Sequence, residues 1–252
     1  MVIEAYGKTD RGRVRNENED VILLDNSFSL FLVCDGMGGH RRGEVAAELA
    51  AAAIQRSIEA TSDRYDVSWP FGYVFELSLD ANRLSTGIRL ANRQVWRRSE
   101  QTLECTGMAT TVAAILIAGN RLIVGNVGDS RVYLLREHQL HQYSTDDTMI
   151  ASLVRRGLMT PADAASHPMR NVVTQSAGSR ETVDVHLREE LLQTEDVLLL
   201  CTDGLYSVVQ EEEIQSILDS ERSVERSVER LVVAALAAGG PDNISAVALR
   251  YS

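Results

Sequence analysis

The sequence predicts an α+β fold in which antiparallel sheets are covered by helices. Three observations carry this. Short apolar runs are joined by hairpin signals such as Gly119-Asn120. Two long stretches of helical periodicity follow one another, Gly43 to Ile58 and roughly Leu79 to Glu100. The order of elements is strands, two helices, strands, a mixed insert, strands, helix, strand, which is not the alternation that builds a doubly wound parallel sheet.

Val2 to Tyr6 reads as a strand, and Asp10 to Asp20 as a polar loop. Val21 to Leu24 and Phe28 to Cys34 read as strands around an Asp25-Asn26 turn. The first helix places Val45, Leu49 and Ala53 on one face. Residues 61–79 read as irregular. The second helix buries Leu84, Ile88, Ala91 and Val95, and leaves Arg83, Arg89, Arg93 and Arg97 as a solvated stripe. Strands follow at Thr110 to Ile117, Leu122 to Val127 and Val132 to Leu135. Residues 144–180 read as mixed. Strands at Val183 to Leu187 and Val197 to Cys201 precede a helix with a local Ser-Val-Glu-Arg duplication at 223–226 and 227–230. Ile244 to Tyr251 is the closing strand.

At 252 residues the chain is expected to form one domain, 1–252, with a substantial core. A formal net charge of −11 argues against non-specific binding to nucleic acid or to anionic membranes. No apolar run approaches spanning length, and no basic region precedes an apolar stretch at the start, so a cytoplasmic protein is expected. Cys34, Cys105 and Cys201 show no paired spacing, which fits a reducing compartment.

Four aspartates sit in segments read as tight turns: Asn18-Glu19-Asp20, Asp35-Gly36-Met37-Gly38-Gly39, Thr202-Asp203-Gly204 and Gly240-Pro241-Asp242-Asn243. Asp35 and Asp203 directly follow apolar runs. A carboxylate at the end of a buried strand is costly unless its charge is compensated. One Asp-Gly alone is most simply a hairpin turn. Two after buried strands, together with Asp20 and Asp242, point to an oxygen-rich cation site. No Cys-x-x-Cys or paired histidines favour zinc, so Mg²⁺ or Mn²⁺ is expected. No Gly-x-Ser-x-Gly elbow, Cys-x₅-Arg loop or Walker motif supplies another nucleophile or phosphate cradle.

Six ordered motifs are similar to those of the PPM (type 2C) Ser/Thr protein phosphatases. They are Asp10-x-Gly12-x-Val14-Arg15-x-x-Asn18-Glu19-Asp20, Val33 to Gly39, Gly107 to Thr111, Gly125 to Arg131, Thr202 to Leu205 and Asp242 to Ser245. The chain resembles the bacterial branch, which has methionine after the Asp-Gly. The resemblance implies a four-layer αββα sandwich and hydrolysis of phosphoserine or phosphothreonine on proteins by a water that two Mn²⁺ or Mg²⁺ ions activate. It implies that Asp35 bridges the ions, with the Gly36 carbonyl on one of them. Asp203 and Asp242 are then the remaining ligands of the other ion, and Glu19 and Asp20 match the acidic pair that holds the second, directly or through water. Asp129, with Asp203, matches the holder of a weaker third ion, although a plain turn explains residues 128–130 as well. Arg15 matches the arginine that grips substrate phosphate, a task suited to a forked, always-charged guanidinium. Its plainer reading is an ion pair with Glu17 or Glu19. Asn243 is expected to fix the Asp242 loop, and Thr110 and Thr111 to be sheet residues beside the site.

Two departures stand out. Some family members carry histidine, a candidate general acid, where this chain has Met37. That leaves water on the metal or His40, for which a turn residue is the simpler reading. The Asp-His-Ser often found near the start of the mixed insert is Asp146-Asp147-Thr148 here. Residues 145–180 are expected to form a flap whose Arg155, Arg156, Arg170 and methionines 149, 159 and 169 either meet substrate or face solvent. The partners implied are phosphorylated proteins, including a Ser/Thr kinase whose action the enzyme reverses, and a monomer is expected. A catalytically silent binding module and a hydrolase of small phosphorylated metabolites are the rival readings. Retention of Asp20, Asp35, Asp203 and Asp242 argues against the first.

Overall fold

Apolar runs that alternate between two buried faces build two antiparallel sheets packed face to face. The computed structural model describes residues 2–38, 42–62, 64, 67–165 and 167–252. One sheet contains β1 (Ile3–Asp10), β11 (Ile244–Tyr251), β10 (Val197–Cys201), β7 (Arg131–Arg136) and β8 (Gln139–Gln142), in that spatial order. The other runs β2 (Asp20–Asp25), β3 (Leu30–Met37), β5 (Val112–Ala118), β6 (Arg121–Val127) and β9 (His186–Leu191), with β4 (Ala109–Thr110) pairing on the end of β3.

The layering explains why the central strands are apolar on both faces. In β3, Phe31 and Val33 point between the sheets, where they meet Ile115, Val124, Leu134, Leu200 and Val247. Leu30, Leu32 and Cys34 point the other way, on to α1 (Arg42–Thr61) and α2 (Leu79–Gln101). In the second sheet, Tyr133, Leu199 and Cys201 face α5 (Asp203–Tyr206), α6 (Glu211–Ser220) and α7 (Val224–Ala237). The result is the four-layer αββα sandwich.

The alanines of α1, including Ala46, Ala47, Ala50 and Ala53, are buried in the core shared with α2. Ser78 caps α2 by accepting from the Ala81 amide at 3.1 Å. The insert carries α3 (Met149–Arg155), capped by Thr148, and α4 (Pro161–Ala165). It is tied to the sheet by a bridge from Ala177 to Thr110, and closed on itself by one from Val173 to Thr148.

The structure differs from the expectations in seven places. Asp35 does not sit in a turn, because β3 continues through it to Met37. Asp20 begins a strand rather than a turn, and Asp203 opens the short helix α5. The strand expected over 183–187 lies over His186–Leu191, set by pairing of His186 with Asn126 and Leu191 with Arg121. Helix α6 and strand β8 were not anticipated. Arg83 is no solvated residue: it is 8% exposed, ion-paired with Asp80 at 2.7 Å and donating to the Arg64 carbonyl at 2.6 Å. Gly39 and His40 lie outside the described residues.

Candidate metal centre

The first two carboxylates meet through strand register. Antiparallel pairing of β2 with β3 sets Asp20 directly opposite Asp35. Asp20 is 6% exposed, and its Oδ2 accepts from Ser245 Oγ at 2.7 Å and Thr202 Oγ1 at 2.8 Å. Its Oδ1 is buried with no partner. Asp35 is gripped through its backbone by two threonines. Thr111 Oγ1 accepts from the Asp35 amide at 2.9 Å, and Thr110 Oγ1 donates to the Asp35 carbonyl at 2.9 Å. Gly36 is required by close approach, since a Cβ there would lie 2.1 Å from the Gly43 carbonyl oxygen at the start of α1. That contact, not a hairpin, accounts for the Asp-Gly pair.

The other sheet supplies Asp203 and Asp242 from neighbouring strand ends. Asp203 follows β10, and its Oδ1 is also buried without a partner. Gly204 lets this turn meet the 242–243 loop, because a Cβ would fall 1.9 Å from the Asn243 carbonyl oxygen. Asn243 does fix its loop. Its side chain accepts from the Glu19 amide at 2.8 Å and donates to the Arg11 and Glu17 carbonyls at 2.9 Å each. Asp129, in the β6–β7 turn, is 4% exposed. Tyr206 Oη donates to its carbonyl at 3.0 Å and lies 3.3 Å from its Oδ2.

Arg15 and Glu19 stand at the rim. Arg15 Nη2 bonds Asp242 Oδ2 at 2.8 Å, with its side chain 54% exposed. Glu19 Oε1 accepts from the Gly43 amide at 3.1 Å, at the N-terminal end of α1.

The aspartates destabilise one another. Burial pushes Asp35 well above the carboxylate range, and the charges of Asp20, Asp203, Asp129 and Asp242 push it further. Asp20 is raised to about 7 by burial, although Ser245 and Thr202 partly relieve it. Asp129 reaches about 7 through burial and the charges of Asp203 and Asp146. Asp203 is raised by burial and by Asp242, with some relief from a hydrogen bond to Asp35. Among the described residues no three His, Cys, Asp or Glu side chains form a closed cage. Asp242 is turned on to Arg15, and one oxygen of Asp20 on to two hydroxyls. The donor set still fits a hard divalent cation. It is all oxygen, it is mutually repulsive, and it holds two buried carboxylate oxygens with nothing to bond.

Sequence reasoning missed the polar shell of Thr202, Ser245, Tyr206 and Asp147. Asp147 is the root of the insert. Its carboxylate pairs with His186 Nε2 at 2.7 Å and accepts from the Gly128 amide at 3.0 Å and Gln175 Nε2 at 2.9 Å. Burial alone would raise it, but these hydrogen bonds hold it below the usual value. The insert is thereby fastened one residue from Asp129. No helix among the described residues is long and apolar enough to cross a membrane.

Comparison with known proteins places the fold and sequence beside known phosphatases. A family model described as protein phosphatase 2C matches residues 13–238. The chain is 34% identical over 250 residues to the serine/threonine phosphatase stp of Listeria monocytogenes, covering 96% of this chain and 94% of that protein. It is 37% identical over 247 residues to the serine/threonine protein phosphatase PstP of Mycobacterium tuberculosis, covering 98% of this chain and 45% of that protein. The crystal structure of the M. tuberculosis phosphatase PstP/Ppp superposes over 100% of both chains, with a TM-score of 0.86 and 36% identity. The PstP catalytic domain in complex with two manganese ions superposes with a TM-score of 0.83 and 34% identity, over 98% of this chain and 97% of that one.

Proposed function

The chain belongs to the protein phosphatase 2C family, and on that premise we propose that it hydrolyses phosphoserine and phosphothreonine on proteins with two divalent cations, Mn²⁺ or Mg²⁺. The observation that carries this reading is the pair of buried, unpartnered oxygens, Asp20 Oδ1 and Asp203 Oδ1, within a cluster of mutually repelling aspartates. Such oxygens are costly to bury without a cation or a donor.

When bound, the ions supply the Lewis acidity that activates water and neutralises the transferring phosphoryl group. Asp35 would serve both ions, with the Gly36 carbonyl on one. Asp203 and Asp242 would complete one ion's ligands, Glu19 and Asp20 would hold the other directly or through water, and Asp129 with Asp203 would hold a third. Ser245 and Thr202 fix the Asp20 carboxylate so that Oδ1 alone is left to ligate. Thr110 and Thr111 fix Asp35 through its backbone. Arg15, exposed at the rim, binds the substrate phosphate and orients it.

In this reading residues 1–252 are one catalytic domain and 145–180 are its flap. The enzyme is a cytoplasmic monomer that reverses a Ser/Thr kinase, and that kinase is itself among its substrates. The test is hydrolysis of a phosphothreonine peptide by purified protein with EDTA, Mg²⁺ or Mn²⁺ in parallel. Turnover that needs Mn²⁺ or Mg²⁺ and stops with EDTA supports the proposal. A folded sample inactive with every metal, or equally active in EDTA, refutes it.

A further inference from the structure

Asp203 and Tyr206 lie three residues apart on the single-turn helix α5, and so on one side of it. Asp203 faces the carboxylate cluster. Tyr206 reaches across to the β6–β7 turn, where its hydroxyl donates to the Asp129 carbonyl at 3.0 Å and sits 3.3 Å from Asp129 Oδ2. The ring is held as firmly as the hydroxyl. The Arg131 guanidinium lies 3.8 Å from its centroid. That guanidinium is fixed by Asp146 Oδ2 at 2.8 and 3.1 Å, by Tyr133 Oη at 2.8 Å and by Glu211 Oε1 at 3.3 Å. Arg131 is therefore a plate clamped by the root of the insert on one side and by α6 on the other.

We propose that Tyr206 is a positioning residue that locks the Asp129 carboxylate into register with Asp203, so that the two present oxygens to one cation. This rests on the reading of Asp129 and Asp203 as sharing an ion. A phenol suits the task because one rigid ring spans from α5 to the turn, and its hydroxyl engages both the backbone and the side chain of Asp129. With that hydroxyl absent, Asp129 keeps its fold position but loses the contact that fixes its carboxylate rotamer.

The test is calorimetric titration of EDTA-stripped protein with MnCl₂, comparing the parent, Tyr206→Phe, Asp129→Asn and the double variant. Phenylalanine keeps the ring under Arg131 and removes only the hydroxyl. The parent is expected to show a weak Mn²⁺ step that Asp129→Asn removes. Tyr206→Phe is expected to weaken that step about tenfold, the lower end for losing a hydrogen bond to a charged group, while the tighter steps stay in place. Adding Tyr206→Phe to Asp129→Asn should change nothing more. An unchanged weak step in Tyr206→Phe overturns the inference, and so does a loss that persists in the Asp129→Asn background. Tight steps in the parent without any weak step also overturn it, but leave the two-ion reading standing. A parent that takes up no Mn²⁺ overturns the two-ion reading as well.

Discussion

Replacing Asp20 with asparagine removes a buried charge while keeping the shape of the side chain. In EDTA-treated protein this should raise stability at pH 8. Folded Asp20 holds its proton up to about 7, against 3.8 as the ordinary value. Between those values the folded chain binds the proton that the unfolded chain releases. The resulting penalty is absent below about 3.8, grows as pH rises, and is complete above about 7. Its size is on the order of 4 kcal/mol. Asparagine recovers that but leaves its amide nitrogen where Oδ1 had no partner, at a cost of about 1–3 kcal/mol. The net gain is about 1–3 kcal/mol, or roughly 2–12 °C in melting temperature for a chain of this size. The assay is thermal unfolding in EDTA from pH 5 to pH 8. The parent should melt lower as pH rises, and Asp20→Asn should flatten that slope. A variant that melts at or below the parent at pH 8, beside a parent indifferent to pH, would refute the electrostatic account of the cluster.

Other outcomes follow from the same geometry. Asp203→Ala should abolish metal-dependent turnover while leaving the circular dichroism of the fold intact; an active variant would remove Asp203 from the ligand set. Arg15→Ala should raise KM for a phosphopeptide by about tenfold with a smaller change in kcat, since phosphate binding is lost before chemistry, and an unchanged KM would deny it the phosphate. Asp147→Ala strips the acceptor from His186, Gly128 and Gln175. It should destabilise the protein by about 2–4 kcal/mol and open residues 149–175 to limited proteolysis, whereas protease resistance equal to the parent's would show that the insert is fastened elsewhere. Because Asp147 is held below its ordinary 3.8, this contribution is fully present at pH 6 to 8 and is lost only as pH falls through its folded value.

The parts of the fold legible in the sequence are those whose side chains declare their burial. The strands over Val197–Cys201 and Ile244–Tyr251 coincide with their apolar runs, and both long helices were found from their spacing. Elements with few apolar residues were not. Strand β8, Gln-Leu-His-Gln, is an edge strand made by its pairing with β7. Helix α6 buries only Ile214, Ile217 and Leu218, behind a run of three glutamates that reads equally well as loop. Ahead of β9, the apolar residues over 183–187 suggested an earlier strand, but the pairing with β6 decides the register.

Asp35 and Asp203 stood out in the sequence because acid after an apolar run is anomalous. The residues that support the cluster did not. Thr111, Ser245 and Thr202 look like ordinary strand residues until register sets them against Asp35 and Asp20. Gly36 and Gly204 were read as turn formers. Each is instead a point where two backbones come too close for a side chain.

The most direct test of the central claim is anomalous diffraction at the manganese edge from crystals grown in MnCl₂. The account predicts two strong peaks with the Asp35 carboxylate between them, and with Asp203, Asp242 and Asp20 around them. Peaks away from these aspartates, or none at saturating Mn²⁺ in an active preparation, would contradict it.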